Sequence, residues 1–286
     1  MKTLIISACI CLLVVLLLNA NTIYMPRADG VVLTVNDNTV YTDWIPIAFH
    51  SWQRINIKPY IYVVVHEGND TSRFIKYEKF IYSFIIIPKH WKSSSFAQVS
   101  RLIIPSTLKE KCKNVMISDI DYAVLPSTYW DISSGPENMF IAMRKKDDHY
   151  FYMGFNSASP ATWSKIFEVS LNSDADVVNT MQKWRDRGIW KENSWGNDQD
   201  ILQYQLEKFS HCVISYNEKI YKLMVIDGVL TEEALWTSNQ KRQVSLTNDS
   251  NKYIWLGPGP NDRQNTRCFE LAKEYIHYGT ILGYRV

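Results

Sequence analysis

Residues 31–65, VVLTVNDNTVYTDWIPIAFHSWQRINIKPYIYVVV, decide the fold. Residues 31–36 are an apolar, β-branched run that stops at Asn36-Asp37-Asn38, the pattern of a buried strand. Trp44, Ile47, Ala48, Trp52 and Ile55 then recur at three- and four-residue steps. That spacing puts them on one face of a helix, with Asp43 placed to cap it. Pro59 introduces residues 60–65, YIYVVV, a second apolar strand. Strand, helix and strand in this order predict two parallel strands joined by a right-handed crossover. The expected class is α/β, with a mostly parallel sheet flanked by helices.

The alternation continues downstream. Residues 80–87, FIYSFIII, read as a third strand before Pro88, and residues 95–103 as a helix with Val99 and Leu102 inward. Residues 114–118, NVMIS, form a short apolar strand that runs straight into Asp119-Ile120-Asp121. Beyond residue 121 the chain becomes mixed, with Trp130, Trp163, Trp184, Trp190 and Trp195 on expected loops and helices. Ser173 and Asp176 open a helix that presents Val177, Val178, Met181 and Trp184. Asn197 is expected to cap another, followed by Ile201, Leu202, Gln205, Leu206 and Phe209. A late strand over residues 222–226 stops at Asp227-Gly228, the Gly-Pro-Gly-Pro stretch at 257–260 is a stiff turn, and a last helix covers 266–277.

The chain has 286 residues, of which 46% are apolar and 13% aromatic, enough for a substantial core. A net charge of +2 gives no argument for nucleic acid as a partner. Lys2 precedes Leu4 to Leu18, a run apolar except for Ser7. Two readings of residues 1–22 stay open. One is an uncleaved signal anchor that spans the membrane through residues 4–18, making a single-pass type II protein with a lumenal body. The other is a signal peptide cut after Ala20, giving a secreted protein, although Leu18 fits the cleavage rule poorly. Both put the body, residues 23–286, outside the cytosol. Asn69-Asp70-Thr71 and Asn248-Asp249-Ser250 are glycosylation acceptor triplets, in keeping with that placement. Cys112, Cys212 and Cys268 allow at most one disulfide in the body and match no zinc spacing.

Asp119-Ile120-Asp121 is the sharpest chemical feature. An apolar strand delivers two carboxylates to its carboxyl end, where ligands bind in open parallel sheets. Hard cations such as Mn²⁺ or Mg²⁺ take carboxylate oxygens together with phosphate oxygens. The bland alternative is a solvated acidic turn. Asn197-Asp198-Gln199-Asp200 is either simple capping, acids favouring a helix N-terminus, or a source of a working carboxylate. The stretch from Tyr152 to Ser159 combines small polar residues with aromatics. It reads as a sugar-binding loop contributing Asn156 and Ser157, or as an ordinary loop over the core.

Several segments in order resemble the GT-A-type nucleotide-diphospho-sugar glycosyltransferases. Residues 33–55, LTVNDNTVYTDWIPIAFHSWQRI, are similar to their opening. Residues 97–108, AQVSRLIIPSTL, with residues 114–126, NVMISDIDYAVLP, are similar to the stretch around their DxD motif. Residues 151–167, FYMGFNSASPATWSKIF, and 195–206, WGNDQDILQYQL, resemble their acceptor-side segments. The resemblance implies a GT-A-like, Rossmann-like mixed sheet and an enzyme, a glycosyltransferase. It implies a nucleotide-sugar half over residues 23–121 and an acceptor half over 122–286. The nucleotide-sugar donor would meet Thr34, Asn36, Arg101, Asp119 and Asp121, with Arg101 facing the diphosphate. Mn²⁺ or Mg²⁺ would be held by Asp121 and Asp119. A glycan or other hydroxyl acceptor would meet Asn156, Ser157 and Trp195, and Asp198 would be the catalytic acid on that side. A later histidine ligand common in relatives has no matching motif here. Two rivals remain: a phosphohydrolase of the haloacid-dehalogenase type, with Asp119 as nucleophile, and a non-catalytic lumenal sugar-binding protein.

Overall fold

Strand β1 (Gly30–Asn36) is the centre from which the molecule is built, and all but its last residue are buried. In the computed structural model it is followed by α1 (Ile45–Arg54), β2 (Lys58–His66), β3 (Ser83–Ile87), α2 (Ser93–Ser100) and β4 (Val115–Ser118). After β5 (Ala123–Val124) come β6 (Phe140–Ala142), β7 (Asn156–Ala158), α3 (Pro160–Ile166), α4 (Asp174–Asp186), α5 (Asn197–Lys208) and β8 (Val213–Ser215). The chain continues with β9 (Tyr221–Ile226), β10 (Val229–Ala234), β11 (Lys241–Gln243), β12 (Tyr253–Leu256) and α6 (Thr266–Tyr278). The structure describes residues 24–142, 145–146, 150–151, 153–215, 221–226, 229–234, 241–243, 253–256, 266–278, 280–281 and 284–285.

Seven strands form one sheet in the order β8-β6-β7-β4-β1-β2-β3. β1 pairs in parallel with both β2 and β4, and β2 with β3. β7 alone runs against its neighbours β4 and β6, and β8 returns parallel to β6. The sheet is therefore mixed and mostly parallel, and it continues past residue 121 as expected. The period of two sorts its side chains onto two faces. Val31, Leu33, Val35, Ile61, Val63 and Val65 join the apolar layer of α1 and α6. Val32, Tyr62, Val64, Val115 and Ile117 join the layer of α2 to α5. Strands covered on both faces must be apolar throughout, which is why these stretches read as continuous runs rather than alternations.

A second sheet has the order β11-β10-β9-β12-β5. Its β5 starts two residues after Asp121 and pairs antiparallel with β12 through Ala123↔Leu256 and Val124↔Trp255.

Several local expectations change. The third strand begins at Ser83, because residues 72–80 coil into a 3-10 helix that buries Phe74, Tyr77 and Phe80. Asp43 does not cap α1; Trp44 occupies that position without a side-chain hydrogen bond, and Pro46 sets the first turn. Asp43 instead accepts from the Tyr77 hydroxyl and pairs with Lys76 at 3.5 Å. Asn38 caps a separate turn, Thr39–Thr42, accepting from the Val40 N–H at 3.0 Å. Ser173 does cap α4, accepting from Asp176 N–H. Trp130, Trp163, Trp184 and Trp190 are all buried core residues. Cys112, Cys212 and Cys268 are buried and none is in a disulfide.

Residues 1–23 lie outside the described residues, as do Asn248, Asp227-Gly228 and residues 257–260. Among the described residues no helix is long and apolar enough to cross a membrane.

Candidate functional site

The chain leaves β1 for β2 and β3 on one side and returns to β4 on the other. Their carboxyl ends flank a crevice at that reversal, the place where open α/β sheets bind ligands. A cavity of about 220 Å³ occupies it. It is lined by Thr34, Val35 and Asn36 from β1, by residues 119–122 after β4, and by side chains from α2 and the start of α5.

The acid pair is held from both ends. Val115 to Ser118 are buried in the first sheet, and Ala123 and Val124 are buried in the second. Ile120 and Tyr122 turn into the apolar layer of α1. Asp119 and Asp121, at the alternate positions, both line the cavity. Asp121 is only 8% exposed.

Helix α2 supplies one wall. Ser94, Ala97, Gln98 and Arg101 recur at helical spacing along it, while Phe96, Val99 and Ile103 pack into the core behind. The Thr34 hydroxyl donates to the Ala97 carbonyl at 2.6 Å, which fixes α2 against the end of β1. Thr34 therefore has its proton engaged in the fold.

Helix α5 brings the third acid. Its N-cap is Gly196, whose φ of +81° favours glycine, rather than the expected Asn197. Asn197 is the first helical residue and pins the preceding loop, accepting from Lys191 N–H at 2.7 Å and donating to the Ile189 carbonyl at 3.3 Å. Trp190 anchors the same loop by donating from its indole to the Ser95 hydroxyl at 2.9 Å. Trp195 is thus presented at the cavity mouth, 72% exposed. Asp198 is buried and reaches inward.

Arg101 joins the acids. Its Nη1 donates to Asp119 Oδ1, and its Nη2 donates to Asp198 Oδ2 at 2.7 Å. Burial alone would lower the pKa of this guanidinium, but the carboxylates of Asp119 and Asp198 outweigh it and raise the pKa, so the charge is fixed. The Nε is buried with no hydrogen-bond partner among the described residues. Arg101, expected to face a diphosphate, braces two acids from different elements.

The structure brings Thr34, Asn36, Arg101, Asp119, Asp121, Asp198 and Trp195 to one cavity. It does not bring Asn156 and Ser157 there. Both are fully buried in β7, where Ser157 pairs with Met116 and Ile141 across the sheet, so the expected sugar-binding loop is an inner strand. Small side chains fit that position because the sheet is covered on both faces. Ser159, after it, caps α3. Among the described residues of this stretch, Met153 reaches the cavity. The sequence reading missed Tyr41, Ser94, Gln98, Met153 and Gln199. The helical period through Ser94, Gln98 and Arg101 was the available signal for two of them.

The donor set suits a hard divalent cation. Two carboxylates in one crevice match the habit of Mg²⁺, which takes one or two carboxylates and completes its shell with water and substrate phosphate oxygens. Among the described residues no group of three or more His, Cys, Asp or Glu side chains is arranged to hold a metal by itself.

No family model matches the chain, and no curated protein sequence matches it. Among solved structures it is similar to the glycosyltransferase GlyE of Streptococcus pneumoniae TIGR4, at 20% identity and a TM-score of 0.39, over 67% of this chain and 45% of that one. It is also similar to the galactosyltransferase LgtC in complex with donor and acceptor sugar analogs, at 17% identity and a TM-score of 0.40, over 68% of this chain and 75% of that one. The chain thus spans less than half the length of GlyE. Likeness at this level does not decide function, which rests on the site itself.

Proposed function

We propose that the protein is a metal-dependent glycosyltransferase that moves a sugar from a nucleotide-diphospho-sugar to a hydroxyl of a glycan or similar acceptor. The observation that carries this reading is the meeting of Asp119 and Asp121 with Arg101 and Asp198 in a crevice at the carboxyl ends of β1 and β4. The described lining is acidic, with three carboxylates and one guanidinium. A pyrophosphate enters such a lining favourably with a cation between. Asp121 would hold Mn²⁺ or Mg²⁺ directly, and Asp119 through water, or Asp119 would hold the ribose. The ion's contribution is to neutralise charge on the leaving diphosphate. Thr34 and Asn36 would contact the nucleotide, and Trp195 would offer an aromatic face to the acceptor at the mouth. Asp198 would take the acceptor proton in an inverting enzyme, or orient the substrate in a retaining one.

The test is release of nucleoside diphosphate from a panel of nucleotide-sugars by the purified full chain. Activity should vanish in EDTA, return with Mn²⁺, and be absent in Asp121→Ala that remains folded. Full activity in EDTA would leave the paired acids as a turn. Donor binding without turnover would favour the sugar-binding protein. Phosphate release from simple phosphomonoesters would favour the phosphohydrolase, with Asp119 as its nucleophile.

The same reading places residues 4–18 in a membrane and the body in a lumen, or the body outside the cell after cleavage. Asn69 lies on an exposed turn, open to modification. Expression in a eukaryotic secretory host should give a product whose mass falls on deglycosylation. A cytosolic, unmodified product would reject this placement.

A further inference from the structure

The rim of the cavity beside Trp195 is basic. Lys89-His90-Trp91-Lys92 leads into α2, and residues 185–195 run from the end of α4 to the start of α5. Side chains stitch the two stretches together. Arg185 Nη1 donates to His90 Nε2 at 3.0 Å, and Arg185 pairs with Glu192 at 3.4 Å. Glu192 also accepts from the Lys92 N–H. Ser94, two residues past Lys92, lines the cavity. The Lys191 N–H is held by Asn197, two residues past Trp195. Lys92 and Lys191 therefore belong to the rim on which Trp195 is displayed.

The charges of this rim do not cancel. Lys92 and Lys191 are exposed, and neither has an ion pair among the described residues. The acid beside them, Glu192, is engaged by Arg185 and by the Lys92 N–H. Asp200, exposed in the first turn of α5, sits where a helix N-terminus favours an acid. Lys92 is also the N-cap of α2 and makes no side-chain hydrogen bond there. A cation at the positive end of a helix is repelled, so the fold gains nothing from this lysine. An anionic ligand gains from both ammonium groups, and a neutral one from neither. The exposed Trp195 ring supplies the apolar face on which a sugar can pack.

We infer that the acceptor is an anionic glycan, one that packs a sugar on Trp195 and lays its charged substituents against Lys92 and Lys191. Calling this ligand the acceptor rests on the transfer reading; the charge argument itself uses neither Asp119 nor Asp121.

The probe is a fluorescein-labelled heparin hexasaccharide, titrated by anisotropy against the full chain in dodecyl maltoside. EDTA is present and donor absent, so binding is read apart from transfer. The hexasaccharide should bind, and neutral maltohexaose should not compete with it. Lys92→Glu with Lys191→Glu should weaken binding by about tenfold or more, as expected for loss of charge-assisted contacts. Lys111→Glu with Lys113→Glu, the same charge change at exposed positions before β4, should leave it unchanged. Trp195→Ala should weaken the hexasaccharide but not polyglutamate, a polyanion without sugar rings. Equal losses in the two lysine pairs, full competition by maltohexaose, or no effect of Trp195→Ala would overturn the inference. The expected binding pattern in a protein that releases no nucleoside diphosphate from any nucleotide-sugar would reject the transfer reading and leave the glycan site standing.

Discussion

Arg101 is buried between carboxylates that lie 18 and 97 residues away in the chain. Removing one member of a buried ionic group leaves the others uncompensated, at a cost of ~3–5 kcal/mol. Arg101→Ala should therefore lower the urea midpoint strongly, besides weakening nucleoside-diphosphate binding. Arg101→Lys should restore little, because an ammonium cannot reach two acids with a planar fork. Unchanged stability in Arg101→Ala would show that the brace is not structural. Gly30 makes a second test. A Cβ there would lie 2.5 Å from Cys112 Sγ, so Gly30→Ala should cost ~1–3 kcal/mol by overpacking. Adding Cys112→Ala should recover much of that loss in urea titrations. The acid pair was legible in sequence because a strand and its exit are contiguous. The Arg101–Asp198 contact was not, because nothing local ties residues so far apart, and both also suit an ordinary helix surface.

At the scale of elements, α5 depends on where Gly196 and Asn197 stop the loop, and that start positions Asp198. Asp198→Asn keeps the side-chain shape but removes the charge. It should lower turnover by ~10²–10⁴-fold while donor binding persists, if the acid works as a general base. Loss of donor binding along with turnover would move Asp198 to the nucleotide site or the fold. Ser173→Ala removes the α4 cap and should cost ~1 kcal/mol in a urea titration without touching the cavity. The elements that sequence revealed are those with a single strong cause: β1, β2 and β4 from apolar runs, α4 from its cap. β7 was hidden because Asn156 and Ser157 are polar, and only the strands beside them and the covered faces explain their burial. The start of β3 was hidden because Phe80 belongs to a 3-10 helix whose aromatics mimic strand residues.

Across the whole molecule, buried ionisable groups predict alkaline sensitivity. Burial, reinforced by Asp29 and opposed by the Tyr60 hydrogen bond and Lys58, pushes the Cys112 thiol from 9.0 to about 11. Burial raises Tyr275 to about 12 despite Arg54, and raises Tyr60 and Tyr62 as well. Between pH 9 and 11 the unfolded chain releases the Cys112 proton that the folded chain keeps, so stability falls as pH rises. The urea midpoint should decline across this window, and less steeply in Cys112→Ala; a flat profile would contradict the burial. The two sheets carry a different consequence. The acid pair is tied to β4 on one side and to β5 on the other, and β7, from beyond the acids, lies beside β4 at the heart of the first sheet. Neither stretch around residue 121 owns its interior. Lineages descended from such a chain cannot trade one half as a module; a transplant of either would arrive with its central strands missing, so variation must accumulate in place, residue by residue, around a shared interior.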